Sequence, residues 1–127
     1  MTQSADFENR MNATLAPVDE TAPFVQCAGV FQAFRALAGA DSDIGRAALS
    51  REVDMAILAT LIRQDETGAD DEAVMDEIHP LIAAAAELYL DRFVANQTAS
   101  GEVMDEGLTA TLQVCSELRL RFLEGSQ

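Results

Sequence analysis

Apolar residues along this chain recur at spacings of three and four and almost never alternate with period two. The pattern therefore predicts helices and no strands. A first helix is expected from about Ala22 to Leu37, where Phe24, Cys27, Phe31, Phe34 and Ala38 form one stripe. Thr21 stands at its N-cap position, Pro23 falls in the first turn where a missing N–H is harmless, and Gly39 stops it. A second helix follows the turn GADSD, with Ser42 or Asp43 as cap, and runs over about Ile44–Gln64. Val53, Ile57 and Leu61 share one of its faces, flanked by Leu58 and Ile62.

The third expected helix covers about Asp70–Asn96. Its stripe of Val74, Ile78, Leu81, Ala85, Leu88 and Arg92 is widened by Ile82, Tyr89 and Phe93. The apolar phase passes through Pro80 unchanged, which predicts a kink there rather than a break. After QTASG a fourth helix, about Glu102–Leu123, carries Met104, Leu108, Thr111, Cys115, Leu118 and Phe122 at alternating steps of four and three. Such spacing makes a seam against other helices.

These elements predict an all-α fold: a single-domain bundle of about four main helices, the third kinked near Pro80. Residues 21–127 form the acidic helical domain, and residues 1–20, polar and containing Pro17, are expected as a flexible or partly helical arm. The expected core is Phe31, Phe34, Ile57, Leu61, Ile78, Leu81, Leu88, Leu112, Cys115 and Leu118. A chain of 127 residues buries enough surface for such a core without metal or disulfide staples. Cys27 and Cys115, 88 positions apart, both lie on apolar stripes and are expected as buried free thiols in a reducing cytosol.

Charge narrows the partners. Twenty-two acids against eight bases give a net charge of −14, and every base is Arg. The missing Lys beside abundant Ala reads as the codon bias of a GC-rich bacterial genome. Nucleic-acid phosphates and anionic lipids are both held by Lys and Arg, so direct binding to either is not expected. The first residues carry no basic start and no apolar core of a signal peptide. The longest apolar run, Leu81–Ala86, is far shorter than the ~20 residues of a membrane span. A cytoplasmic location is the expectation.

Candidate chemistry is sparse. His79 is the lone histidine, in DEIHPL. Phosphotransfer there would need a base and a glycine just after the histidine, whereas Pro80, Leu81 and Ile82 follow and no base appears until Arg92. A di-metal bundle site would need several acid–histidine pairs on facing helices, and Asp76–His79 is a single one. Acid–base catalysis would need a pocket with a nucleophile that no motif here supplies. No catalytic residue, metal site or cofactor is expected. The acidic run is more distinctive: Asp65, Glu66, Asp70, Asp71, Glu72, Asp76 and Glu77 place seven acids in thirteen residues without a base. The helix dipole accounts for acids in a first turn, and the run as a whole suits a docking surface for an Arg- or Lys-rich protein.

The sequence thus points to a non-enzymatic protein-interaction module, a regulator, adaptor or inhibitor that covers a basic site on its partner. Two alternatives stand beside it. One is a phosphotransfer or metal-binding bundle centred on His79, for which an exposed histidine is the discriminator. The other is a homo-oligomeric component of a larger assembly, for which a large exposed apolar patch is the discriminator.

Overall fold

The structure, a computed structural model, describes the backbone of residues 2–125 and the side chains of residues 5–122. Across them the fold is all-α: α1 (Thr2–Leu15), a 3-10 segment (Ala16–Thr21), α2 (Ala22–Ala38), α3 (Asp43–Thr67), α4 (Asp71–Ser100) and α5 (Glu106–Gly125). α4 is assigned as one helix with Pro80 inside it.

Local chemistry sets most of these borders. The Ser42 hydroxyl accepts the Gly45 amide at 2.9 Å, and the Asp70 carboxylate accepts the Ala73 amide at 2.9 Å. Both are N-caps that satisfy a donor the helix itself cannot. α2, α3 and α4 stop at Gly39, Gly68 and Gly101, which have φ of 90°, 72° and 79°, a region that favours glycine.

One expected cap and one expected helix start are corrected. Thr21 makes no cap hydrogen bond to α2. It is fully buried, and its hydroxyl instead donates to the Glu66 carboxylate at the far end of α3. α5 begins at Glu106 rather than Glu102, because Asp105 is its cap and accepts the Leu108 amide at 2.7 Å. Arg92 and Asn96 of α4 hold that carboxylate at 2.8 and 2.9 Å, so a tertiary contact chooses the start.

α2 is the central helix. Phe24, Val25, Cys27, Ala28, Gly29, Val30 and Ala33 are all buried, and it packs most extensively on α3 and α4. A Cβ added at Gly29 would stand 2.6 Å from that of Ala85, so only a hydrogen lets α2 and α4 approach this closely. Residues 5–20 join the same core, burying Met11, Leu15 and Val18. The Phe7 ring stacks at 5.0 Å from Tyr89, with the Arg92 guanidinium 4.6 Å above it.

The orientation of α3 differs from expectation. Ile57 and Leu61, expected in the core, are 54% and 57% exposed. The buried row is Gly45, Ala48, Met55 and Ala59. Small residues there let α3 lie close to α2, and the Glu52 carboxylate locks the choice by accepting from Arg35 at 2.9 and 3.2 Å. Ile78 and Cys115 are buried as expected, while Phe31, Phe34, Leu81, Leu88, Leu112 and Leu118 line the core partly buried.

A further correction concerns the cysteines. Cys27 of α2 and Cys115 of α5 are joined as a disulfide, with Cα atoms 5.6 Å apart, and neither is a free thiol. Both sit on the apolar faces assigned from sequence, and it is the meeting of those faces that joins them. The bond matters because α5 is otherwise lightly held: of its residues only Leu108 and Cys115 are buried among those described.

The Asp105 junction yields a pH prediction. Burial works to raise this carboxyl, yet hydrogen bonds from Arg92, Leu108 and Asn96 together hold it below the ordinary value of 3.8. A depressed folded value means the stabilisation is complete above the unfolded value and drains away as pH falls below it. Asp105→Asn is therefore expected to lower stability by about 1–2 kcal/mol at pH 7, through a weakened cap and a lost ion pair. Urea melts of both proteins should converge as pH drops through the acid range. A gap that persists unchanged at the lowest pH would remove the carboxylate from the explanation.

Candidate functional site

The acidic run spans the C-terminal end of α3, the turn at Gly68 and the first two turns of α4. The structure divides its seven acids by employment. Asp70 is occupied as the α4 cap. Glu66 accepts from the buried Thr21 hydroxyl and lies 3.8 Å from Arg63. Asp71 accepts the Gln64 amide group. Glu77 is gripped by both arms of the Arg63 fork, at 2.7 and 2.8 Å. That hydrogen-bonded fork outweighs burial and holds the Glu77 carboxyl below its ordinary range, while the same partner raises Arg63.

Asp65, Glu72 and Asp76 are exposed and have no hydrogen bond or ion pair among the described residues. The run therefore contains a clasp, in which Arg63 ties α3 to α4 and to the Pro17 carbonyl at 3.4 Å, and three carboxylates left to solvent. Sequence reasoning grouped all seven as one surface. What it missed is Arg63, the base that spends part of that surface internally. Among the described residues six of the eight arginines, all but Arg51 and Arg121, form ion pairs with acids of the same chain, so positive charge is mostly taken up by internal pairing.

His79 is exposed and precedes Pro80 on the outer side of α4. Arg92, the next base along α4, is bound to Asp105. Among the described residues no group of three His, Cys, Asp or Glu side chains is placed to hold a metal ion. A half-open polar cleft lies between α1, α2, α4 and α5, with Glu8, Asn12, Gln26, Arg92 and Thr111 in its walls. Gln26 donates to the Tyr89 hydroxyl at 2.8 Å, Arg92 is bound to Asp105, and the Thr111 hydroxyl donates to the Gly107 carbonyl at 2.9 Å. No buried side-chain nitrogen or oxygen among the described residues lacks a partner.

The exposed apolar residues form a second candidate surface. Leu49, Val53, Ile57 and Leu61 are 43%, 47%, 54% and 57% exposed and follow one another at steps of four along α3. Residues at that spacing make a continuous ridge on a helix. Comparison with protein-family models, with curated proteins and with solved structures finds no significant match for this chain. No helix among the described residues is long and apolar enough to cross a membrane.

Proposed function

We propose that this chain is a non-enzymatic protein-interaction module, a small regulator, adaptor or inhibitor, that docks its acidic α3–α4 end on a basic surface of another protein. The observation that carries this reading is the set of carboxylates on Asp65, Glu72 and Asp76. They are displayed on well-anchored helices with no internal base, and a partner's guanidinium or ammonium groups would complete them. In this reading the helices pack as the bundle expected from sequence, with α4 bent at Pro80. The disulfide weighs against a cytoplasmic location, since such bonds persist in oxidising compartments and are rare in reducing ones.

The test is capture from the host at low salt, then kinetics on the purified partner with wild type and Asp65→Asn/Glu72→Gln/Asp76→Asn. Exposed charges act mainly on encounter, so the triple variant should slow association far more than it speeds dissociation. Wild-type association should also slow between roughly 0.05 and 0.3 M salt, as the screening length shortens. A partner whose on-rate ignores both changes sinks the proposal. A second reading, a homo-oligomeric component, is favoured by one observation, the bare apolar ridge of α3.

A further inference from the structure

The exposed apolar row of α3 is bordered by a line of carboxylates. Leu49, Val53, Ile57 and Leu61 leave four aliphatic side chains each more than two-fifths exposed on one helix. Scattered exposed apolar residues are ordinary, whereas a contiguous row of them marks an interface. Along one edge of the row stand Asp43, Asp54 and Asp65, eleven residues apart. Eleven residues are three helical turns to within about 20°, so these carboxylates form a line roughly 33 Å long, about 16 Å between neighbours. The Asp43 side chain is 97% exposed although it pairs with Arg46, Asp54 keeps 36% exposure beside Arg119, and Asp65 has no partner among the described residues. Beyond Asp65 the turn at Gly68 leads to Asp71, which accepts from Gln64, and to the exposed Glu72.

We infer that the occupant is an amphipathic helix of another protein, apolar on the face that meets the ridge and basic along one edge. The inference rests on the interaction-module reading and adds the partner's secondary structure and pattern. Residues at steps of four on the partner would interdigitate with the α3 row in the commonest mode of helix packing. Its Arg or Lys residues would lie over the aspartate line, densest at the Asp65 end where carboxylates are free.

A second copy of this chain fits less well. An antiparallel two-fold pair would set the aspartate line beside its own copy, and a parallel pair would still bring together two chains that each carry −14. Anionic lipid and nucleic acid meet the same repulsion.

The test uses full-length protein and three synthetic helical peptides labelled for fluorescence anisotropy. One has leucines at steps of four and three with an arginine edge, the second has the same leucines with a glutamine edge, and the third has the arginines with the leucines changed to serine. The first is expected to bind in roughly 0.15 M salt, and the other two far more weakly. Val53→Ser/Ile57→Ser should weaken it about tenfold or more, the effect of losing one or two buried aliphatic anchors. These residues are exposed, so the thermal midpoint should hold, and Leu61→Ser serves if the double variant does not fold.

No binding of the first peptide overturns the inference, and so does binding that the ridge variants leave unchanged. If the ridge variants are silent in that assay while the acid-neutralised triple variant still slows the authentic partner, the helix-docking inference fails and the acidic-surface reading survives. A concentration-dependent dimer in sedimentation that Ile57→Ser abolishes also overturns it, by assigning the ridge to a second copy.

Discussion

The Cys27→Ala/Cys115→Ala protein is expected to be less stable than wild type by about 4–5 kcal/mol, the figure for cutting a closed loop of this length in the chain-entropy account. The loop is long because the two cysteines are 88 residues apart, and an unfolded chain gains much freedom when so distant a link is cut. For a domain of this size the loss corresponds to a thermal midpoint lower by roughly 12–20 °C. The structural consequence should be local before it is global. α5 rests on α2 over a small area, and besides the disulfide it is held by Leu108, the Arg92–Asp105 junction, the Arg119–Asp54 pair at 2.7 Å and the edge-on contact of Phe24 with Phe122 at 5.2 Å. Hydrogen exchange should therefore show α5 losing protection well ahead of α2 and α4. Wild type treated with a dithiol reductant under partly destabilising conditions should approach the double variant. A double variant within about 1 kcal/mol of wild type in urea would show that the bond contributes little.

A pair of alanine substitutions decides how α3 and the core are arranged. Phe93 is fully buried, its ring 4.7 Å from Phe34 and 6.4 Å from Tyr89. Phe93→Ala removes this ring from the place where α2 and α4 meet, and a loss of about 3–5 kcal/mol is expected, transfer and cavity together. Ile57→Ala, from a residue 54% exposed, should stay within about 0.5 kcal/mol of wild type. The contrast is the informative quantity. If Ile57→Ala costs as much as Phe93→Ala, then α3 presents its other face to α2, and the ridge proposed for docking is core.

Much of this chain was legible one helix at a time. The stop of α2 at Gly39 and the start of α3 at Ser42 are legible directly, because caps and left-handed stops are satisfied within a few residues, whereas α3 and α4 run past the expected Gln64 and Asn96 to Thr67 and Ser100. The all-α class followed from apolar periodicity, and the acidic run was plain from residue type alone.

Tertiary structure decided what local pattern leaves open. α3 carries two rows that could each face inward, Ala48, Met55 and Ala59 or Leu49, Val53, Ile57 and Leu61. The larger side chains make the second row look like core. The fold buries the smaller row, because α2 approaches closely there and Arg35 meets Glu52 across the contact. Likewise no spacing announces that Cys27 and Cys115 meet, since their adjacency depends on how α5 lies on α2. The acids of the candidate site were visible in the sequence, but their division was not: Arg63, Gln64 and Thr21 take up Glu77, Asp71 and Glu66 only once α3, α4 and the 3-10 segment are brought together. Period and the caps at Ser42 and Asp70 act through neighbours along the chain, so the sequence determines them, whereas Thr21 and Asp105 take their roles from Glu66, Arg92 and Asn96. Which face is buried, which thiols join and which charges stay free depend on contacts between distant residues, and those only the packed structure decides.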